Sequence, residues 1–211
     1  MVKWAFAILC MAIAANNANA AANEGTLALG IAYQNTTNLS GDFVQAAGGS
    51  IGMVGLSVNA MGFWNNRNIG LFVNGNWLMA VYLSNRIDLQ NYGNFYMGGI
   101  IGPGFRHSVS DKLTLLAGAG IDFHAQLIRA ELINNTVYED YSLDLGLGGQ
   151  AGFKLDITDI VCIKFLLNTS YIFINCIGNS LQWPVKSTIV LNPFIGIGFN
   201  WYDDSRHWGK P

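Results

Sequence analysis

Charge is what this chain has least of. Only 11% of its 211 residues are Asp, Glu, Lys or Arg, against roughly 25% in an ordinary soluble domain. A compact soluble protein needs a charged skin, and this chain has no residues to make one. Long apolar runs are missing as well. After the first fifteen residues there is no stretch of about 18 apolar residues, the minimum for a spanning helix. There is no basic excess either. Without Lys3 the chain carries 10 basic and 13 acidic residues, a net of −3, and nucleic-acid binding would call for a basic patch. A phosphate-binding loop, zinc-ligand spacing and a nucleophile elbow are all absent.

What is present is apolar residue and glycine. Half of the chain is hydrophobic, and Gly occurs 25 times. The pattern shows best in Tyr141–Leu155. Its odd positions are Tyr141, Leu143, Leu145, Leu147, Gly149, Ala151, Phe153 and Leu155. Its even positions are Ser142, Asp144, Gly146, Gly148, Gln150, Gly152 and Lys154. A strand sends alternate side chains to opposite faces, so period two gives one apolar face and one small or polar face. Low charge, no spanning helix and long alternating strands together describe a membrane β-barrel, whose apolar residues are hidden from a hydropathy window by the alternation.

The first residues read as an export signal. Lys3 is the basic region, Trp4–Ala15 the apolar region, and Ala18-Asn19-Ala20 a small-residue cleavage site, with Ala22 as a second choice. Cys10 is poorly placed for a lipoprotein signal, because Leu9 stands where a small residue is wanted. The expected organisation is a signal peptide over 1–20, a barrel over 21–202 and a tail over 203–211.

Eight strands follow the leader. They are centred on residues 26–34, 50–63, 69–81, 92–106, 112–127, 141–155, 161–173 and 189–201, and the second changes register near Met53-Val54, which predicts a bulge. The connections alternate: long 35–49, short 64–68, long 84–91, short 108–111, long 129–138, short 156–159, long 175–186. Short periplasmic turns and long outer loops make that pattern in outer-membrane barrels, with both termini periplasmic. Aromatic residues fall in two bands, as they do at membrane interfaces. Tyr33, Trp77, Tyr82, Phe95, Phe123, Tyr141, Tyr171 and Phe173 lie toward the long loops. Trp64, Phe105, Phe153, Phe199 and Trp201 lie toward the short turns. A soluble eight-stranded cup is the alternative, but its wet face would be mostly Gly, Ala, Asn and Ser. The expected class is all-β, an antiparallel up-and-down transmembrane barrel.

Leu191-Asn192-Pro193-Phe194 running into Gly196-Ile197-Gly198-Phe199, Asn68-Ile69-Gly70-Leu71 after the first short turn, and Gly149–Asn168 with its Asp156-Ile157-Thr158-Asp159 turn are together similar to the OmpW family. The resemblance implies an eight-stranded outer-membrane barrel that passes or binds small hydrophobic molecules. One departure stands out. Such chains usually stop at an aromatic residue used by the barrel-assembly machinery, whereas Asp203–Pro211 continues past Trp201-Tyr202.

Chemistry-bearing residues are few. Arg106, Lys112, Asp122, His124, Asp144, Lys154 and Lys164 all fall on the wet face, with Asp122 roughly opposite Asp144. Charges in a low-dielectric tube must be paired. The bland reading is therefore a structural lumen network in which the two carboxylates share cations such as Lys164 or Arg106. The sharper reading is a cation or gating site of two carboxylates and a histidine. Lipid-modifying activity is not expected. His107-Ser108 sits at a short turn, His124 lacks a serine within two positions on its face, and His207 lies in the tail. No cofactor or metal is implied. Cys162 and Cys176 are 14 residues apart, mostly within one strand. At roughly 3.3 Å per residue they are too distant for a disulfide, which needs Cα atoms within about 7 Å.

The expected function is a narrow outer-membrane pathway for small, mostly hydrophobic solutes. Pro103 and Pro193 each delete a ladder donor, and they mark either a candidate lateral exit or merely strand ends or bulges. The alternative is a non-conducting surface barrel whose loops 35–49 and 175–186 bind surface ligands. Outer-membrane lipid is a partner under both readings.

Overall fold

In the computed structural model the described residues are 24–36, 51–64, 67–83, 89–132, 137–177, 180–182 and 188–202. The expected signal peptide, the tail, the loop after the first strand, and Tyr82 as a girdle side chain lie outside what is described. Among the described residues there are nine strands: β1 Glu24–Thr36, β2 Ile51–Phe63, β3 Ile69–Leu83, β4 Leu89–Ser108, β5 Leu113–Leu132, β6 Val137–Asp156, β7 Val161–Ile177, β8 Ser180–Gln182 and β9 Thr188–Tyr202. Each long strand pairs antiparallel with its sequence neighbours, β7 with β9, and β9 with β1. Eight long strands thus close on themselves, while the three-residue β8 only extends the end of β7 as a small ribbon. No helix of the described residues is long and apolar enough to cross a membrane.

Alternation decides which side chains go where. Leu29, Ile31, Leu56, Ile121, Leu147, Ile189 and Ile197 stand on the outside, each more than half exposed. Their neighbours Ala28, Ala32, Ser57, Asp122, Gly146, Val190 and Gly198 turn inward and are buried. An apolar exterior of this extent would be intolerable in water and suits hydrocarbon. Exposed Tyr33, Phe123, Tyr141 and Tyr171 lie toward the long-loop end, and exposed Phe105, Phe153 and Phe199 toward the other. Leu145 also faces outward but is half-buried, beside an irregularity between β6 and β7.

Two short turns share one construction. In the first, Val109 N–H donates to Leu113 O (2.9 Å) and Leu113 N–H to the Ser110 hydroxyl (3.1 Å). In the second, Ile157 N–H donates to Val161 O (2.9 Å) and Val161 N–H to the Thr158 hydroxyl (2.9 Å). A Ser or Thr hydroxyl accepting from the chain three residues on closes the turn at little cost.

Several strand limits differ from expectation. Residues 129–138 read as a loop, yet Arg129↔Glu139, Ala130↔Tyr138 and Glu131↔Val137 continue the β5–β6 ladder. The 175–186 segment likewise begins with ladder, through Cys176 and Ile177 of β7 and then β8. Backbone groups above the membrane still gain from pairing, and a charged pattern hides a strand from apolar periodicity. The bulge expected at Met53 is found between Gly52 and Met53, and the extra residue is Val81 of β3.

Candidate functional site

The inside of the barrel is built in three storeys. The first is the short-turn mouth. Glu24 from β1 and Arg106 from β4 form an ion pair across it, and the Arg106 guanidinium lies 4.4 Å from the centroid of the Phe63 ring. On the β6 side Lys154 Nζ contacts Asp156 at 2.9 Å and Asn200 Oδ1 at 3.2 Å. Asn200 Nδ2 in turn donates to Asp156 Oδ1 (2.7 Å) and to Asp159 O (3.2 Å). Between the two groups opens a cavity of about 540 Å³.

The second storey is a waist. Met61, Phe72, Ile100, Leu116, Leu166 and Phe194 are buried there in one apolar cluster. Here the glycines of the inner face find their use. A Cβ on Gly118 would stand 2.5 Å from Phe72 Cε1, and one on Gly148 would stand 2.8 Å from Ile100 Cδ1. Small residues are sockets for large ones reaching across, so the inner face is not an open bore. The sequence reading of a small-residue lining is corrected on this point. Phe72 and Leu78 occupy inward positions of β3, between outward Leu71, Val73, Trp77 and Met79. Through the waist runs one polar crossbar. Lys164 of β7, fully buried, donates to Asn59 Oδ1 of β2 (2.8 Å). Asn59 Nδ2 donates to Gln150 Oε1 of β6 (2.8 Å), and Gln150 Nε2 reaches Met61 Sδ (3.4 Å).

The third storey, toward the long loops, is polar. Tyr96 Oη and His124 Nδ1 lie 2.6 Å apart, with the rings edge-on, and His124 Nε2 lies 2.5 Å from Asp122 Oδ2. The Tyr96 hydroxyl and His124 Nδ1 share a hydrogen bond, whereas the approach of Nε2 to Asp122 lacks hydrogen-bond geometry. Hydroxyl, imidazole and carboxylate in series is the order that activates a serine in hydrolases. Here the hydroxyl is a phenol, and all three groups are buried inside the barrel, away from the outer wall where a lipid chain would lie. Asn76 Nδ2 donates to Asn74 Oδ1 (2.9 Å), and Asn192 Nδ2 to Gln34 Oε1 (3.3 Å).

The residues singled out from sequence fall into separate groups. Arg106 and Lys154 belong to the mouth, Lys164 to the waist, and Asp122 and His124 to the upper storey. Lys112 is not in the lumen at all. It sits exposed in the short turn, where its carbonyl accepts from Asp156 N–H (2.8 Å). Asp144 is opposite His124, two residues farther toward the long loops than expected, while Asp122 is opposite Gly146. Asp144 is half-buried and acts electrostatically on both Asp122 and Tyr96. The carboxylates do not share Lys164 or Arg106, whose partners are Asn59 and Glu24. Among the described residues no group of three His, Cys, Asp or Glu is arranged to hold a metal ion.

Glu24, Asn59 and Tyr96 are partners that the sequence does not single out, and Gln150 stands out there only as an inward position. Glu24 precedes the expected first strand, and the others are inward by parity, with nothing local to say what they face. Cys162 is buried and free at one end of β7, and Cys176 holds the register position opposite Leu143 near the other. Both prolines are exposed within strands. Pro103 pairs with Leu71 of β3, but its β5 ladder is interrupted between Ile101↔Ile121 and Gly104↔Gly118. Pro193 pairs with Leu167 of β7, but its β1 ladder is interrupted between Ala32↔Phe194 and Asn35↔Leu191. The two interrupted seams are four strands apart in a ring of eight, on opposite sides of the barrel.

No protein-family model and no curated protein matches the chain. Solved structures do. Ail, the attachment invasion locus protein of Yersinia pestis, is 13% identical with a TM-score of 0.54, over 85% of this chain and 99% of that one. Neisserial surface protein A is 12% identical with a TM-score of 0.50, over 85% and 97%. The outer membrane protein OprG from Pseudomonas aeruginosa is 11% identical with a TM-score of 0.50, over 88% and 99%. At such identities the likeness is one of architecture, and this chain has the closed eight-stranded antiparallel fold of the bacterial outer-membrane β-barrels.

Proposed function

We propose that this protein is an OmpW-like barrel of the bacterial outer membrane, with its short turns and termini periplasmic, that gives small, mostly apolar solutes a narrow pathway. It works without enzymatic chemistry. The observation that carries the reading is the waist. A constriction lined by Met61, Phe72, Ile100, Leu116 and Phe194 cannot rehydrate an ion, which therefore meets a barrier. An apolar solute escapes that desolvation cost and, because the packed waist leaves no open bore, leaves the lumen sideways. The interrupted seams at Pro103 and Pro193 add a lateral route, because a wall lacking ladder hydrogen bonds opens at less cost than an intact one.

The test is uptake of an apolar fluorescent probe by vesicles holding the refolded barrel. Wild type should accelerate uptake, with only a small ionic conductance. Pro193→Val, which restores a donor, should slow it. Equal uptake by protein-free vesicles would sink the reading. The packed waist favours a second one, a non-conducting surface barrel acting through loops 35–49 and 175–186. In that case ligand binding would be lost on shortening these loops while the barrel stays folded.

A further inference from the structure

The upper storey holds more polar groups than it pairs. Asp122 is buried, and neither of its carboxylate oxygens completes a hydrogen bond among the described residues. No lysine or arginine among them forms an ion pair with it. Lys164 is committed to Asn59 in the waist, Arg106 and Lys154 belong to the mouth, and Arg129 is exposed on the outer face. His124 is close, but its Nδ1 is engaged with Tyr96 and its Nε2 meets the carboxylate without hydrogen-bond geometry. Asp144, half-buried, adds negative potential. A buried carboxylate without a counter-charge is costly. Protonation alone does not relieve it, because a carboxyl O–H needs an acceptor and neither oxygen has a partner in place.

The ladders bring further oxygen atoms toward Asp122. The rows Asn74↔Ile100↔Asp122 and Asn76↔Gly98↔His124 run side by side across β3, β4 and β5. Gly98 puts no side chain between Asn76 and His124. Asn76 is buried, and its Oδ1 has no hydrogen-bond partner among the described residues. On the other flank the β6 partner of Asp122 is Gly146, so that wall is bare as well, and the buried Ser170 hydroxyl of β7 reaches the carboxylate.

We propose that this space is a binding site for one monovalent metal cation, sodium or potassium. Its ligands are the Asp122 carboxylate, Asn76 Oδ1 and the Ser170 hydroxyl, with water completing the shell. Hard cations take carboxylate, amide and water oxygens of this kind. A single positive charge balances the one fully buried carboxylate. A divalent ion calls for more charge in direct contact, and no group of three His, Cys, Asp or Glu among the described residues is arranged to supply it. The unpartnered amide donors of the same storey, Asn74 Nδ2 and Gln126 Nε2, hold the oxygens of the ligand waters. The ion braces β3, β5 and β7 from inside. It lies above the waist and depends on neither the pathway nor the surface-barrel reading.

The test is thermal unfolding of the full-length folded barrel in detergent, followed by circular dichroism. Sodium, potassium or magnesium chloride replaces choline chloride at constant ionic strength. The midpoint should climb with sodium or potassium, by about 3–5 °C per tenfold in concentration once the site fills. The ion that acts at the lower concentration is the one the site selects. Asp122→Asn should remove the climb. Asp111→Asn, a carboxylate lost from the distant short turn, should keep it. Ser170→Ala leaves the carboxylate in place and should need about tenfold more salt for the same midpoint. Should Asp122→Asn fail to refold, the Ser170→Ala curve decides. Equal midpoints in sodium, potassium and choline leave the space to water alone and overturn the proposal. So does a climb that survives Asp122→Asn, an unshifted Ser170→Ala curve, or a response to magnesium only.

Discussion

Asp122 brings a carboxylate oxygen to 2.5 Å from Nε2 of His124. Both side chains are buried inside the barrel, and the imidazole spends its other nitrogen on Tyr96. The phenol and the imidazole share a hydrogen bond, and the carboxylate meets the ring at close range without one. Tyr96→Phe leaves Nδ1 without its partner and should cost about 1–3 kcal/mol, the penalty for a stranded buried group. In a double-mutant cycle with Asp122→Asn the two losses should couple through His124, as neighbours in one network do. Urea-induced unfolding in lipid vesicles measures both, and strict additivity would show that the three groups act separately.

The outer wall makes a depth-dependent forecast. Ile121 and Leu147 are register partners near the middle of β5 and β6, and are 57% and 60% exposed. Arginine at either position should destabilise the barrel in lipid by about 2–4 kcal/mol. Val109→Arg, in a short turn beyond the strands, should cost far less. The same unfolding series compares them.

Lys164 is a buried ammonium whose hydrogen-bond partner is a neutral amide, Asn59. Replacing the cation by a chain of similar shape, Lys164→Met, should be neutral or stabilise by about 1–4 kcal/mol, as other buried charges do on replacement. Asn59→Leu should instead destabilise strongly, by about 3–5 kcal/mol, because the charge keeps its place and loses its acceptor. Opposite signs for two residues in one hydrogen bond make the pair diagnostic.

Gly118 is fixed by what reaches across to it. A Cβ there would lie 2.5 Å from the Phe72 ring, and a buried ring in a packed interior has little room to move. Gly118→Ala should cost about 1–3 kcal/mol through overpacking. Adding Phe72→Leu should recover part of that loss. A Gly118→Ala variant as stable as wild type would mean that the waist is looser than described.

Proline accounts for both ladder interruptions through its missing donor. Pro103→Val and Pro193→Val should each add about 1 kcal/mol, the net value of one hydrogen bond. Amide exchange of Ala119 and Tyr33, which hold the facing register positions, should slow in parallel. Unchanged exchange would assign the interruptions to strand geometry.

Several features of this protein follow from the sequence itself because they are local. Alternation is a property of neighbouring residues, so Tyr141–Leu155 shows its outward and inward faces without reference to any other strand. Strand number, the rhythm of short and long connections and the two aromatic bands follow in the same way, since each is a matter of spacing along the chain. The strand ends beyond the apolar band were not legible, because pairing there rests on backbone groups and leaves no apolar period. Lumen partners were not legible either. The Asn59–Lys164 hydrogen bond joins residues 105 apart in sequence, and Glu24 meets Arg106 across 82. Parity says only that such residues point inward. What each meets depends on how the closed ring staggers its strands, and that stagger is set by all eight ladders together. For the same reason the inward glycines read as an open lining until Phe72 and Ile100 were seen to fill it from the opposite wall.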